Sequence, residues 1–321
     1  MIFHQSQEFK NAVEAAAGYF KLRPVFIEKD YWVTYVLKNL SLSSHRNDVI
    51  FKGGTSLSKA YNCIERFSED IDLAIVKTEG MSGNQITNKI KTVEKSVSAG
   101  LQYFQHRDEE KKGRNRRTFY QYPKTIEATD FVQVKDHIQI EINSFTNPVP
   151  YAEVRIDSYV AQFLRSSGFE SAIPQFQLEP FTVKVLTMER TFFEKLLSLI
   201  RLSNEGTHKL KEKIRHFYDL HKLLHQKSLK DTILSKQNFE LIDLVKEDDG
   251  SNEIFKGNWL NQPLVASPLF AELETIWKEV EPTYSNDLAP LVWTELPVSE
   301  EIIKSLRLIK IYISEYDRAK A

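Results

Sequence analysis

The sequence predicts an α/β (α+β) protein: a mixed sheet with flanking helices, followed by a mainly helical C-terminal domain. Three observations carry this expectation. Short β-branched or alternating runs, Val49–Phe51, Ile71–Val76, Thr118–Tyr122 and Ile138–Asn143, are confined to the first half and are interleaved with helical periodicity. From Val183 onward the apolar pattern is mainly helical. Between the halves, Pro150, Pro174 and Pro180 punctuate a mixed stretch that reads as a seam. The expected domains are residues 1–180 and 181–321, and 321 residues suffice for two sizeable cores.

The elements follow in order. Phe9, Val13, Ala16 and Phe20 share one side of a helix over 5–21, which Pro24 breaks. Trp32, Val36 and Leu40 line a second helix over 25–40. Val49–Phe51 is a strand leading into the Gly53-Gly54 turn, 57–66 is helical and 71–76 is a strand. Ile86, Ile90, Val93, Val97 and Leu101 predict a helix over 84–103. Strands follow at Thr118–Tyr122, Val132–Val134 and Ile138–Asn143, then helices at 187–203, 208–226, 236–247, 267–280 and 299–318. There is no internal repeat and no low-complexity tract.

The chemistry concentrates in two adjacent motifs. Gly53 and Gly54 bring bare backbone N–H groups to a helix start, and Thr55 and Ser56 add hydroxyl donors there, which suits a phosphate. Asp70 and Asp72, two apart in a strand, leave the same face, and Phe67, Ile71, Leu73 and Ile75 around them make uncompensated charge costly. Each motif alone is also ordinary turn or strand-edge chemistry. The order, with thirteen residues between Ser56 and Asp70 for a helix and a return to the sheet, gives the pair its meaning. On Ile138–Asn143 the isoleucines point one way and Gln139, Glu141 and Asn143 the other, so Glu141 is a third candidate carboxylate; the other reading is a surface-facing strand. Three hard-oxygen ligands suit Mg²⁺ and phosphoryl or nucleotidyl transfer.

Lys111, Lys112, Arg114, Arg116 and Arg117 place five positive charges in seven residues, directly before Thr118-Phe119-Tyr120-Gln121-Tyr122. This is either an RNA-binding candidate, pairing with phosphates and stacking on bases, or a solvated hairpin partly neutralised by Asp108-Glu109-Glu110. Lys195, among Phe192, Phe193, Leu196 and Leu197, either snorkels to water or meets an anion. Arg215 and Asp219, spaced i, i+4, are able to pair with each other. Ser68 is a candidate regulatory residue: in an extended strand it shares a face with Asp70, where a phosphate would oppose metal and triphosphate. Its other reading is a cap that ends the preceding helix.

Gly53-Gly54-Thr55 with Leu57-Ser58-Lys59-Ala60-Tyr61 and Arg66-Phe67-Ser68-Glu69-Asp70-Ile71-Asp72 resembles the AbiEii/AbiGii-type nucleotidyltransferase toxins of bacterial toxin–antitoxin and abortive-infection systems. Glu28-Lys29-Asp30-Tyr31-Trp32-Val33, Arg190–Leu196 and Arg215–Leu220 resemble further motifs of that family, so the resemblance covers about residues 25–225. It implies a polymerase-beta-like nucleotidyltransferase fold. It implies NTP phosphates on Gly53, Gly54, Thr55, Ser56 and Lys195, with Mg²⁺ on Asp70, Asp72 and Glu141. Asp219 would orient Lys195 or the acceptor, and Glu28, Lys29 and Asp30 receive no role. The implied reaction transfers NMP to an acceptor hydroxyl, such as an RNA (tRNA) 3′ end, with release of pyrophosphate. Growth arrest and restraint by a cognate antitoxin would follow. Alternative acceptors are a protein or small-molecule hydroxyl, and a non-catalytic alternative is a nucleotide-binding regulator.

Composition sets bounds. At 41% apolar and 27% charged residues with a net charge of −1, any nucleic-acid contact must be local. No apolar run reaches membrane-helix length. The lone Cys63 excludes an internal disulfide framework. With no secretory pattern at Met1–Ser6, a cytoplasmic location is expected.

Overall fold

The computed structural model describes residues 2–127 and 134–321, so the expected strand residues Val132 and Gln133 lie outside the described residues. The chain divides into two compact units, Met1–Asn62 with Phe67–Leu186, and Cys63–Arg66 with Thr187–Ala321.

The first unit is a mixed sheet with flanking helices. Helices α1 (Glu8–Phe20) and α2 (Pro24–Leu42) open it. Lys21 ends α1 in the left-handed conformation at φ 55°, and Pro24 then starts α2 at its first turn, where a missing N–H costs nothing. Strands β1 (Val49–Lys52) and β2 (Ile71–Ile75) flank the short helix α3 (Gly53–Lys59). Helix α3 therefore begins at the glycine pair and ends at Lys59, earlier than the sequence suggests. The segment after it contributes Cys63–Arg66 to the other unit.

Helix α4 (Gly83–Val97) carries a Ser82/Gln85 capping box and stops before Leu101, because the chain turns into a strand, β3 (Gln102–Phe104). A hairpin follows, β4 (Glu110–Lys112) and β5 (Asn115–Gln121), then β6 (His137–Asn143) and β7 (Tyr151–Ile156). Helices α5 (Tyr159–Ser166) and α6 (Ala172–Gln175) precede β8 (Phe181–Leu186). Since β8 pairs with both β1 and β7, the first unit runs to Leu186 rather than to 180.

The strand order is β3-β5-β6-β2-β1-β8-β7, with β4 paired to β5. The β2–β6 and β1–β8 pairs are parallel, and the other neighbours are antiparallel. Ile71, Leu73, Ile75, Ile138, Ile140 and Ile142 are fully buried, which fixes the pairing register and turns the alternate residues to the opposite face.

Buried charges tie the unit together. Glu28 accepts hydrogen bonds from the backbone N–H groups of Thr125 and Ile126, and Lys59 bonds Asp30, which also caps Tyr159 N–H. Lys29, with no exposure, donates to the carbonyls of Lys135 and His137 and lies 3.3 Å from Glu69. The Glu28-Lys29-Asp30 motif is thus a set of internal clamps: Glu28 ties α2 to the segment after β5, Lys29 to the segments entering β2 and β6, and Asp30 to the end of α3 and the start of α5 at Tyr159.

The second unit is helical: α7 (Met188–Ser203), α8 (Thr207–Glu212), α9 (Arg215–Leu224), α10 (Phe239–Gly250), α11 (Pro268–Ala271), α12 (Leu273–Thr283) and α13 (Ser299–Lys320), joined by short 3₁₀ and π turns. Its core gathers Phe192, Phe193, Leu196, Phe217, Leu220, Trp277, Leu306 and Ile309. The sequence-expected helix over 208–226 is divided between α8 and α9, and that over 267–280 between α11 and α12. Among the described residues no helix is long and apolar enough to cross a membrane.

Burial raises the Glu69 carboxyl, against the opposing charge of Lys29, and burial lowers Lys29. Lys29→Met leaves Glu69 without its cation and is expected to destabilise by about 3–5 kcal/mol. A carboxyl whose folded pKa is raised favours the folded state at low pH and loses that contribution as pH rises. The deficit relative to wild type should therefore shrink from pH 8 to pH 5 in urea-unfolding measurements. A deficit independent of pH would remove Glu69 from the explanation.

Candidate active site

The pairing register lines up four charged residues across four strands. Lys52 on β1 faces Asp72 on β2, Asp72 faces Glu141 on β6, and Glu141 faces Arg117 on β5. Residues in register share a sheet face, so this is a row of cation, carboxylate, carboxylate and cation. Asp70, two residues before Asp72, leaves the same face next to Gln139. Lys135 Nζ binds both, at 2.7 Å from Asp70 Oδ1 and 3.1 Å from Gln139 Oε1. Arg117 Nε and Nη2 each lie 3.0 Å from Glu141 Oε2. Burial works against the Arg117 guanidinium, but the charges of Glu141, Glu110 and Asp72 outweigh it and raise its pKa.

Gly53 closes the site. Its φ is +80°, and a Cβ built there would stand 2.0 Å from Asp72 Oδ2. Only a glycine allows the Asp72 carboxylate to sit against the first residue of α3. Gly53 and Gly54 are partly exposed, whereas Thr55 and Ser56 are buried. The Thr55 hydroxyl donates to the Asp70 carbonyl and shares a 2.9 Å hydrogen bond with Ser68 Oγ, while Ser56 Oγ donates to the Gly53 carbonyl at 2.8 Å. The Thr55 hydroxyl binds the turn to the start of β2, with Ser68 in the same network, and the Ser56 hydroxyl closes the turn on itself.

The sequence thus places Asp70, Asp72 and Glu141 on one face, as the alternation predicts. Asp70 and Glu141 are turned onto Lys135 and Arg117, and among the described residues no closed group of three or more His, Cys, Asp or Glu is formed. The donor set, three carboxylates beside a turn that admits no Cβ, fits a hard divalent cation with its phosphate ligand.

Lys195 and Asp219 lie in the second unit, with Arg66. Asp219 is fully buried and receives Arg66 Nε on Oδ1 and Arg66 Nη2 on Oδ2, both at 2.7 Å. Lys195 Nζ stands 2.9 Å from Oδ2. Burial alone would raise the Asp219 pKa, but Arg66 and Lys195 override it and hold the carboxyl well below the usual range. Of the two readings for Lys195, it meets an anion, and that anion is Asp219.

The basic cluster separates. Arg116 on β5 binds Glu94 on α4, and Arg117 on β5 binds Glu141 on β6. Lys111, Lys112 and Arg114 remain at the exposed β4–β5 hairpin, with Lys111 2.9 Å from Glu109 and Lys112 3.3 Å from Glu110. Phe119, Tyr120 and Tyr122 are buried, so they offer no stacking platform for a base. Sequence reading assigned no role to Lys52, Lys135 or Arg66. Arg66 stood within the quoted motif, but pairing across 153 residues leaves no local signal.

A carboxylate row against a glycine turn, on a mixed sheet followed by a helical unit, defines a nucleotidyltransferase. The family model described as nucleotidyl transferase AbiEii toxin, Type IV TA system, matches residues 35–295, and the chain belongs to that family. The match starts after Glu28–Val33 and extends well past residue 225. Among solved structures, the chain is similar to MenT4, a nucleotidyltransferase toxin from Mycobacterium tuberculosis H37Rv. That similarity has a TM-score of 0.57 and 14% identity, covering 96% of this chain and 91% of that one, a likeness of fold. A candidate nucleotidyltransferase from H. pylori also aligns, at TM-score 0.29 and 16% identity over 81% of this chain and 98% of that one. No curated protein sequence matches.

Gly53→Ala tests the cradle. The new Cβ must displace the Asp72 carboxylate, and φ +80° strains any L-residue. The expected outcome is a loss of roughly 1–2 kcal/mol in stability together with loss of nucleotidyl transfer. A folded alanine variant that transfers normally would show that Asp72 need not contact this turn.

Proposed function

We propose that this toxin transfers an NMP group from an NTP to an RNA 3′ hydroxyl, such as that of a tRNA, and that Asp70, Asp72 and Glu141 hold Mg²⁺ for the reaction. The observation that carries the reading is the in-register Asp72–Glu141 pair, set against a glycine whose missing side chain lets the Asp72 carboxylate lie against the start of α3. When bound, Mg²⁺ supplies charge neutralisation at the phosphates and a lower pKa for the attacking hydroxyl.

The protein's own contribution is positioning. Thr55 and Ser56 fix the turn, so that the backbone of Gly53 and Gly54 approaches a phosphate without a Cβ in the way. The buried isoleucines hold β2 and β6 in register, which keeps Asp72 and Glu141 side by side before substrate arrives. Within the second unit, Asp219 orients the Lys195 ammonium from 2.9 Å.

The exposed hairpin cations Lys111, Lys112 and Arg114 suit a polyanionic acceptor better than a small hydroxyl compound. A cognate antitoxin would neutralise the enzyme. Phosphorylation at Ser68 is one such route, since a phosphate there would break the Thr55 contact and set negative charge two residues from Asp70.

Radiolabelled NTP offered to total RNA, protein extract and small hydroxylated compounds identifies the acceptor; label in protein or small molecules alone would overturn the RNA assignment. Asp70→Ala and Asp72→Ala should each lower transfer by about a thousandfold or more. Stability should change little, because Asp70 is partly exposed and removing Asp72 relieves like-charge crowding with Glu141. Near-normal transfer by either folded variant would refute the site.

Neutralising Lys111, Lys112 and Arg114 together should weaken RNA binding and make its salt dependence shallower, while NTP binding is retained. Unchanged RNA affinity at both low and high salt would reduce the hairpin to a solvated turn.

A further inference from the structure

Two kinds of arginine–carboxylate pair occur in this protein. Arg66 grips Asp219 as a fork, one nitrogen on each oxygen, with side chains 3% and 0% exposed. That geometry is strong and shut away from water. Arg117 instead converges with two nitrogens on the single oxygen Oε2 of Glu141, and the side chains are 35% and 21% exposed. Lys135 and Asp70 are 38% and 31% exposed. Pairs partly open to water are more screened than the buried Arg66–Asp219 fork, so their cations are released more readily than Arg66.

The two open pairs sit on the carboxylates that the proposed function assigns to the metal, so the inference rests on that reading. We propose that Arg117 and Lys135 are exchangeable counter-ions that become ligands of the NTP triphosphate. Without substrate they balance Glu141 and Asp70 and prevent the charge row from repelling itself. Asp70 and Glu141 would hold a divalent cation only by loosening their hold on Lys135 and Arg117, because a carboxylate oxygen engaged by a metal is a poorer partner for a monovalent cation. The released groups then stand at the edge of the same face, where a triphosphate brings new acceptors. A guanidinium suits phosphate oxygens in particular, because its fork binds two of them at once. The positions fit this role: Arg117 ends the row on β5, and Lys135 precedes β6 at the level of Asp70.

This exchange predicts effects of opposite sign on two ligands. In Mn²⁺ titrations followed by electron paramagnetic resonance without nucleotide, Arg117→Met and Lys135→Met should each bind the ion about two- to fivefold more tightly, since a competitor has been removed. In calorimetric titrations with a non-hydrolysable NTP and Mg²⁺, the same variants should bind about tenfold more weakly, and Arg117→Lys should recover part of that loss. If metal and nucleotide both weaken, or if either is unchanged, the two residues are merely structural and the proposal fails. Asp72→Asn separates this failure from that of the site itself. If wild-type Mn²⁺ binding survives that substitution, the metal site and the exchange fall together. If binding is lost but the Arg117 and Lys135 variants show no opposite shifts, only the exchange is wrong.

Discussion

Asp72 and Glu141 stand side by side on parallel strands, and the surrounding structure answers to that juxtaposition. Like charges directly opposite each other destabilise a sheet. The register cannot slip to relieve them, because a one-residue shift would expose Ile71, Leu73, Ile140 and Ile142. The repulsion is therefore met by the neighbours. Arg117 and Lys52 close the two ends of the row, and Lys135 takes Asp70. Gly53 gives up its side chain so that the Asp72 carboxylate has a place to lie. A local rule of sheet chemistry is broken at one point, and the residues around it are chosen to tolerate the break.

Much of this was legible in the sequence, for a physical reason. Alternation in Ile71–Ile75 and Ile138–Asn143 fixes which side chains share a face, so Asp72 and Glu141 are expected on one face before the pairing is known, and the register sets them opposite each other. The glycine pair announced a backbone that a side chain would obstruct. Pairing itself is not local. That β2 and β6 are neighbours, or that Arg117 falls opposite Glu141, depends on the strand order of the whole sheet. Strands β4 and β7 were missed because they are short or exposed at the rim, where an apolar pattern is not required. Strand β8 was absorbed into the helical half because it directly precedes α7 with no loop signal beyond the cap at Thr187.

Charged motifs were read least well, because burial reverses their meaning. Glu28-Lys29-Asp30 resembles a solvated helix start, yet its first two residues have no exposure and hold backbone groups of distant segments. The basic run from Lys111 to Arg117 looks uniform, but its last two members belong to the sheet and only the first three charges reach the hairpin surface. Whether a charge serves as a clamp or a contact is decided by what packs over it. Composition does not reveal that.

The second unit is discontinuous in the chain: Cys63–Arg66 belongs with Thr187–Ala321. During synthesis Arg66 emerges long before its partner, because Asp219 follows 153 residues later. At translation rates of about 5–20 residues per second, the guanidinium waits roughly 8–30 s before the carboxylate exists to receive it. No single cut of the gene yields the helical unit intact, because a fragment beginning at Thr187 carries Asp219 without Arg66. The nascent toxin therefore passes through an interval in which its sheet has been made and its helical unit cannot close.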